Sequence, residues 1–270
     1  MRVLKGTIQT GRFTIPYRLY DNAGPRIICL NGVQQSMAMW QTFVHRFGDT
    51  YAITIFDFPN QGKGEIISGS HSVSLDEQIE ILDAVIKKTF PHGHLIMCSA
   101  SWGGVVAAAY AVRHPARVKT LVLASLGTRP NKNMVETIRR GALIAGENRR
   151  EMAETLIKSF GGNLPDAMKN RIIGQFERMS QESLRAFYEH GLFVISTKEI
   201  NKAVNVGAIA CRTILLNGEK DTIIDLEDVK YLAAQIPHAE LRIIKDVGHF
   251  LHLEKEEMLD VYENILDSCK

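Results

Sequence analysis

From Leu95 to Val112 the chain carries no charged residue, and in the middle of that run stands Ser99-Ala100-Ser101-Trp102-Gly103-Gly104. An uncharged run of this length could cross a membrane as a helix. Two serines and two glycines at its centre argue against a membrane span, as do the polar stretches on either side. The run divides in two instead. Leu95-Ile96-Met97-Cys98 has the length and apolar continuity of a buried strand, and the alanine-rich stretch from Val105 to Val112 reads as a buried helix. Between them the chain has to reverse within a few residues, which Gly103 and Gly104 permit. A sharp strand–turn–helix of this kind, usually G-x-S-x-G, presents a serine hydroxyl at its tip. Ser101 stands at the tip, with Gly103 in the second glycine place and Ser99 in the first, where a small side chain is needed. Ser101 is the candidate nucleophile; the alternative is a Ser-Gly turn that only packs a helix on a sheet.

The rest of the chain supplies the setting. Residues 2–8 and 12–19 alternate as an antiparallel pair around Thr10-Gly11. Arg26–Leu30, Ala52–Phe56 and Thr120–Ala124 are apolar runs with helical patterns between them, around Met37 to Phe47 and after the capping box Ser74-Leu75-Asp76-Glu77. Strands alternating with helices predict an α/β fold, a mainly parallel sheet covered on both faces. After Gly127 the alternation stops. Residues 131–207 show helical patterns only, with breaks expected at Gly146, Gly161-Gly162, Pro165 and Gly191. The sheet pattern resumes with Thr213–Leu216, a helix over about 225–235 capped by Asp225, Leu241–Ile244, and a last helix from about 254. The expected organisation is a core of residues 1–127 and 208–270 with a helical cap of residues 128–207 over the site. A peripheral helical decoration is the alternative.

A serine nucleophile needs a base to take its proton and an acid to orient the base, and behind an elbow of this type they follow in the order serine, acid, histidine. Asp246-Val247-Gly248-His249-Phe250 leaves the last strand and puts His249 in the base position; His252, three residues on, is its rival. Asn217-Gly218-Glu219-Lys220-Asp221 leaves the preceding strand and offers Asp221 as the acid, with Glu219 as second choice. The oxyanion formed on attack calls for preorganised N–H donors. Those expected are the backbone amides of Trp102 and of Val33, the latter in the Asn31-Gly32-Val33 turn after the third strand. Asn31, Gly32 and the Trp102 side chain are expected to touch substrate. This chemistry requires no metal and no cofactor.

The net charge of +2 excludes a strongly basic nucleic-acid binder. The N-terminus lacks an extended apolar signal region, and Cys29, Cys98, Cys211 and Cys269 show no CxxC spacing, so a cytoplasmic, reduced protein is expected. Residues 131–207 hold twelve Lys/Arg against nine Asp/Glu, while the remainder is nearly balanced. Arg139-Arg140 and Arg149-Arg150 could there meet an acidic carrier protein or the phosphates of CoA, although a solvated helical surface accounts for the excess equally well.

Together the elbow, the Leu30-Asn31-Gly32 turn, Phe56-Asp57-Phe58-Pro59, Asn217-Gly218-Glu219-Lys220-Asp221 and Gly248-His249-Phe250-Leu251-His252-Leu253-Glu254 resemble the α/β-hydrolase fold. Within it they resemble the subgroup of the hydroxyacyloxyalkanoate synthase of rhamnolipid biosynthesis and the hydroxyacyl-carrier-protein to CoA transacylase. The chain departs from that subgroup at Thr222-Ile223-Ile224, where an acidic-aromatic-threonine run is usual, and the cap carries no matching motif. The resemblance implies a medium-chain, 3-hydroxylated acyl group held on Ser101 and passed from an ester or thioester to an acceptor, with acyl carrier protein or CoA as partners. A carboxylesterase or thioesterase that uses water is the alternative within enzymes; a non-catalytic ligand-binding protein of the same fold is the alternative outside them.

Overall fold

The computed structural model describes residues 2–33, 35–70, 72–144, 148–196 and 200–269. The first part of the chain runs β1 (Arg2–Thr10), β2 (Phe13–Asp21), β3 (Arg26–Leu30), α1 (Gln41–Phe47), β4 (Ala52–Phe56), β5 (Glu65–Ile66), α2 (Leu75–Thr89), β6 (Leu95–Ala100), α3 (Trp102–Arg113) and β7 (Val118–Ala124). Five helices follow, α4 (Lys132–Ile144), α5 (Arg149–Phe160), α6 (Asp166–Arg178), α7 (Gln181–Ser196) and α8 (Ile200–Ala203), before β8 (Arg212–Gly218), α9 (Leu226–Gln235), β9 (Glu240–Ile244) and α10 (Met258–Asp267). The strands form one sheet in the order β1-β2-β4-β3-β6-β7-β8-β9, with the short β5 paired to β2. From β4 to β9 neighbouring strands are parallel; β1 and β2 are antiparallel, as is β2 to β4.

Alternation along each central strand sends side chains to opposite faces. Ile28, Leu30, Met97, Leu121 and Leu215 pack on one side with residues of α2, α3 and α9. Ile27, Cys29, Ile96, Cys98, Val122 and Ile214 pack on the other with residues of α1 and α10. Both faces are thus dry, which is why these strands read as unbroken apolar runs. α2 begins at the predicted capping box: Ser74 Oγ accepts from Glu77 N, and Glu77 returns a carboxylate to Ser74 N.

The helical stretch has a core of its own, in which Met152, Ala153 and Leu156 of α5, Phe176 of α6, and Leu184, Phe187 and Tyr188 of α7 are buried together. Gly191 does not break a helix but lies within α7, where an added Cβ would stand 3.2 Å from Ile138 Cγ2; the residue is small because α4 packs there. Gly146 lies outside the described residues. Asp225 stands at the start of α9 without a side-chain capping bond, and its carboxylate accepts from Asn131 Nδ2 instead. The final helix starts at Met258, because residues 251–253 form a 3-10 turn first.

Candidate active site

Ser101 joins β6 to α3 with φ 49° and ψ −122°, the left-handed side of conformational space that a residue with a Cβ enters only when its surroundings impose it. The imposing contacts are visible. Ser101 N donates to Ala124 O at 2.8 Å, and Gly104 N donates to Ser101 O at 2.8 Å. A Cβ on Gly103 would lie 2.6 Å from Asn31 O and 2.7 Å from Leu30 O, so glycine lets α3 begin against the end of β3. Ser99 is fully buried and its hydroxyl donates to Val122 O, so it faces the interior and not the tip.

Asp221 and His249 meet across the ends of β8 and β9. His249 Nδ1 and Asp221 Oδ2 are 2.9 Å apart, with both side chains almost wholly buried. Asp221 Oδ1 accepts from Ile223 N and Ile224 N, which fixes the carboxylate from behind. With Nδ1–H donated to the carboxylate, the free nitrogen is Nε2. The backbone of His249 is clamped at three points. Gly248 N and Phe250 N both donate to the Glu254 carboxylate, at 2.6 and 2.9 Å, and the Ser125 hydroxyl donates to His249 O at 2.7 Å. Ser125 itself has φ 53° and directly follows β7. His252, the rival base, is buried elsewhere: it hydrogen-bonds Met39 O at 3.0 Å and stacks on Trp40, and burial holds its pKa below the usual histidine range. Glu219 is exposed and accepts from Asp246 N.

The turn after β3 is held by a buried polar net. Asn31 Nδ2 donates to Phe56 O, Asn31 Oδ1 accepts from Trp40 Nε1, Gln61 Nε2 donates to Gly32 O, and Gln35 Oε1 accepts from Gly32 N. Asp57 braces the same loop by accepting from Met37 N and Lys63 N; burial raises its pKa, against those two bonds. On the opposite side Trp102 opens α3, where the first amides of a helix have no intrahelical partner. Its indole N–H donates to Gln78 Oε1 at 2.8 Å, and its ring lies edge-on to His190 and Phe193 of α7.

Ser101, Trp102, Val33 and His249 line one cavity of about 320 Å³. Among the described residues, no hydrogen bond joins Ser101 Oγ to His249; the two share the cavity floor. Asn31 and Gly32 are not among the described lining residues, and the hydrogen bonds of Asn31 serve the loop. The same cavity is also lined by apolar side chains of the helical stretch, including Ile138 of α4, Leu156 of α5, Met168 and Phe176 of α6, and Phe187 of α7. Of the four arginines singled out from the charge balance, Arg149 is bound to Met179 O and Gln181, and Arg150 is paired with Glu154 and Glu177. Arg139 and Arg140 are exposed. Ser125, Glu254, Gln61 and Gln78 were not picked out from sequence. Glu254 had the clearest signal, an acid placed soon after the histidine. The other partnerships join residues far apart in the chain.

A sequence profile described as the alpha/beta hydrolase fold matches residues 25–256. A (R)-3-hydroxydecanoyl-ACP:CoA transacylase of Pseudomonas putida is 24% identical over 260 residues, covering 93% of this chain and 86% of that protein. A pimeloyl-[acyl-carrier protein] methyl ester esterase of Nitrosospira multiformis is 25% identical over 247 residues, covering 84% and 88%. Among solved structures, a thermophilic esterase from Thermogutta terrifontis superposes with a TM-score of 0.77 at 18% identity, covering 100% of this chain and 99% of that one.

Proposed function

The chain belongs to the α/β-hydrolase fold family, and from that premise we propose that it is an acyltransferase working through an ester on Ser101. Ser101 Oγ attacks the carbonyl carbon of an acyl thioester or ester while His249 Nε2 takes its proton. Asp221 keeps the imidazole in the tautomer that leaves Nε2 free and stabilises the imidazolium that forms. The amides of Val33 and Trp102 receive the developing oxyanion. Collapse of the tetrahedral intermediate expels the thiol or alcohol, protonated by His249, and leaves acyl-Ser101. An acceptor hydroxyl or thiol, deprotonated by the same histidine, then attacks and takes the acyl group away.

The observation that carries this reading is that Ser101 and His249, the latter bonded to the buried Asp221, line one cavity whose wall is otherwise mainly apolar. A volume of about 320 Å³ lies in the range of small-molecule sites. The apolar wall suits a medium-length acyl chain, and the helices α4 to α7 act as the cap that supplies it. The similarity to a hydroxyacyl transacylase supports a 3-hydroxyacyl group and a CoA or carrier-protein thioester. Hydrolysis by water is the second reading, favoured by the similarity to a methyl ester esterase.

The test is intact-protein mass spectrometry after mixing with 3-hydroxydecanoyl thioester, with Ser101→Ala as control. An adduct that clears faster with CoA or a hydroxy acid than in water alone identifies a transferase. An adduct that clears equally fast without an acceptor identifies a hydrolase. Absence of any adduct on the folded protein, together with no labelling by a fluorophosphonate, would overturn acyl-serine chemistry.

A further inference from the structure

The cavity wall contains two cationic side chains, Arg129, between β7 and α4, and Arg171 on α6; no carboxylate lines it among the described residues. Both arginines are exposed although they line the cavity, which places them at its mouth. α6 presents two adjacent rows of side chains there. Met168, Ile172 and Phe176, spaced by four residues, make an apolar row, and Arg171 with Gln175, also four apart, make a polar row beside it. Arg171 makes no ion pair or hydrogen bond with another described residue, in contrast to Arg150 on α5, whose guanidinium is taken by Glu154 and Glu177. Arg129 is held from its backbone: Asp228 accepts from Thr128 N, Thr128 Oγ1 and Arg129 N. That leaves only a 3.8 Å approach of Arg129 Nε to the same carboxylate, with the guanidinium mostly in solvent.

An acyl chain needs no cation. Two guanidinium groups at the edge of an otherwise apolar cavity match a ligand that is apolar at one end and anionic at the other, and the planar fork of arginine suits phosphate and carboxylate oxygens. We propose that Arg129 and Arg171 form an anion-binding rim that holds the charged end of the acyl-bearing molecule while its carbonyl lies at Ser101. This rests on the acyl-transfer reading and deepens it. Two molecules in that reaction carry such an anion: a thioester donor with the phosphate of a phosphopantetheine arm, and a fatty-acid acceptor with its carboxylate.

The experiment compares ligands that differ only in the anion. The kcat/KM for 3-hydroxydecanoyl-phosphopantetheine is divided by that for the same thioester lacking the phosphate, and inhibition by decanoate is divided by inhibition by decanol. The expected result is that at least one ratio exceeds about tenfold in the unaltered protein, the size of one charge-assisted contact. That ratio should fall several-fold in Arg171→Gln and in Arg129→Gln and approach one in the double variant. The phosphate ratio responding alone identifies the donor arm; the carboxylate ratio responding alone identifies the acceptor. Both ratios near one in the unaltered protein, or unchanged in the double variant, would overturn the rim. Salt gives a second measure that needs no variant, since a preference created at an exposed rim shrinks as ionic strength rises. Acylation of Ser101 by an uncharged decanoyl ester is followed in parallel: its presence without any anion preference removes the rim alone, and its absence removes the acyl-transfer reading.

Discussion

The floor and the roof of the cavity are built on different principles. On the floor, backbone groups are pinned by named polar contacts: His249 by Glu254 and Ser125, Gly32 by Gln61 and Gln35, Ser101 by Ala124 O. In the roof the cavity is shaped mainly by apolar packing, in which Phe176 and Phe187 meet edge to face at 5.1 Å. Directional bonds hold atoms to fractions of an ångström, as proton transfer demands, whereas apolar packing fixes volume and tolerates exchange. On the proposed function, the reaction type would then belong to the floor and the choice of acyl chain to the roof.

The largest effects are expected on the floor. Ser101→Ala should abolish the acyl adduct and lower turnover by about 10⁴-fold or more while the protein stays folded, as read by mass spectrometry and thermal melting. Asp221→Asn should reduce kcat by about 10³–10⁴-fold, because an amide no longer selects the tautomer with Nε2 free. Glu254→Gln keeps the shape of the clamp and removes its charge; kcat should fall by about tenfold with KM and chain-length preference unchanged, one charged contact being worth about that much. In the roof, Phe176→Ala should move the optimum of kcat/KM toward longer acyl chains by a smaller, several-fold factor, measured across a series of esters. A shift of chain preference in Glu254→Gln, or an equal loss at every chain length in Phe176→Ala, would break the division.

The smallest effect concerns the seam between the two. His190 of α7 packs edge-on to Trp102, its Nε2 is buried without a hydrogen-bond partner, and burial brings its pKa down to about 4. A histidine whose folded pKa is depressed stabilises the fold above its unfolded pKa, near 6.5, and that contribution is lost as the pH falls from about 6.5 towards 4. The melting temperature should therefore decline over that interval, and decline less steeply in His190→Phe; parallel slopes would show that this seam does not titrate.

The floor was more legible in the sequence than the roof for the same physical reason. Strands buried on both faces have to be apolar throughout, so β3, β4, β6, β7 and β8 announced themselves, and Ser101, Asp221 and His249 each follow a strand end. β5, only two residues long, has no pattern of its own. In the sequence Gly191 signals a break, because a missing side chain marks a turn as readily as a close helix contact, and only Ile138 tells the two apart. Asn31 was expected against substrate, but its partners Phe56 and Trp40 are brought to it by the fold. The roof offers little beyond helical spacing, since many apolar sets fill the same volume.

β7 and β8 are adjacent parallel strands, with Thr120 opposite Arg212 and Ala124 opposite Leu216, so the chain leaves the sheet at the carboxyl end of β7 and crosses to the amino end of its neighbour β8. The entropy of closing such a loop grows only with the logarithm of its length, each doubling costing about 0.6 kcal/mol. The closure entropy is therefore nearly indifferent to how long that excursion is. A chain built this way can lengthen or shorten that excursion at little entropic cost, with Ser101 encoded upstream of it and Asp221 and His249 downstream.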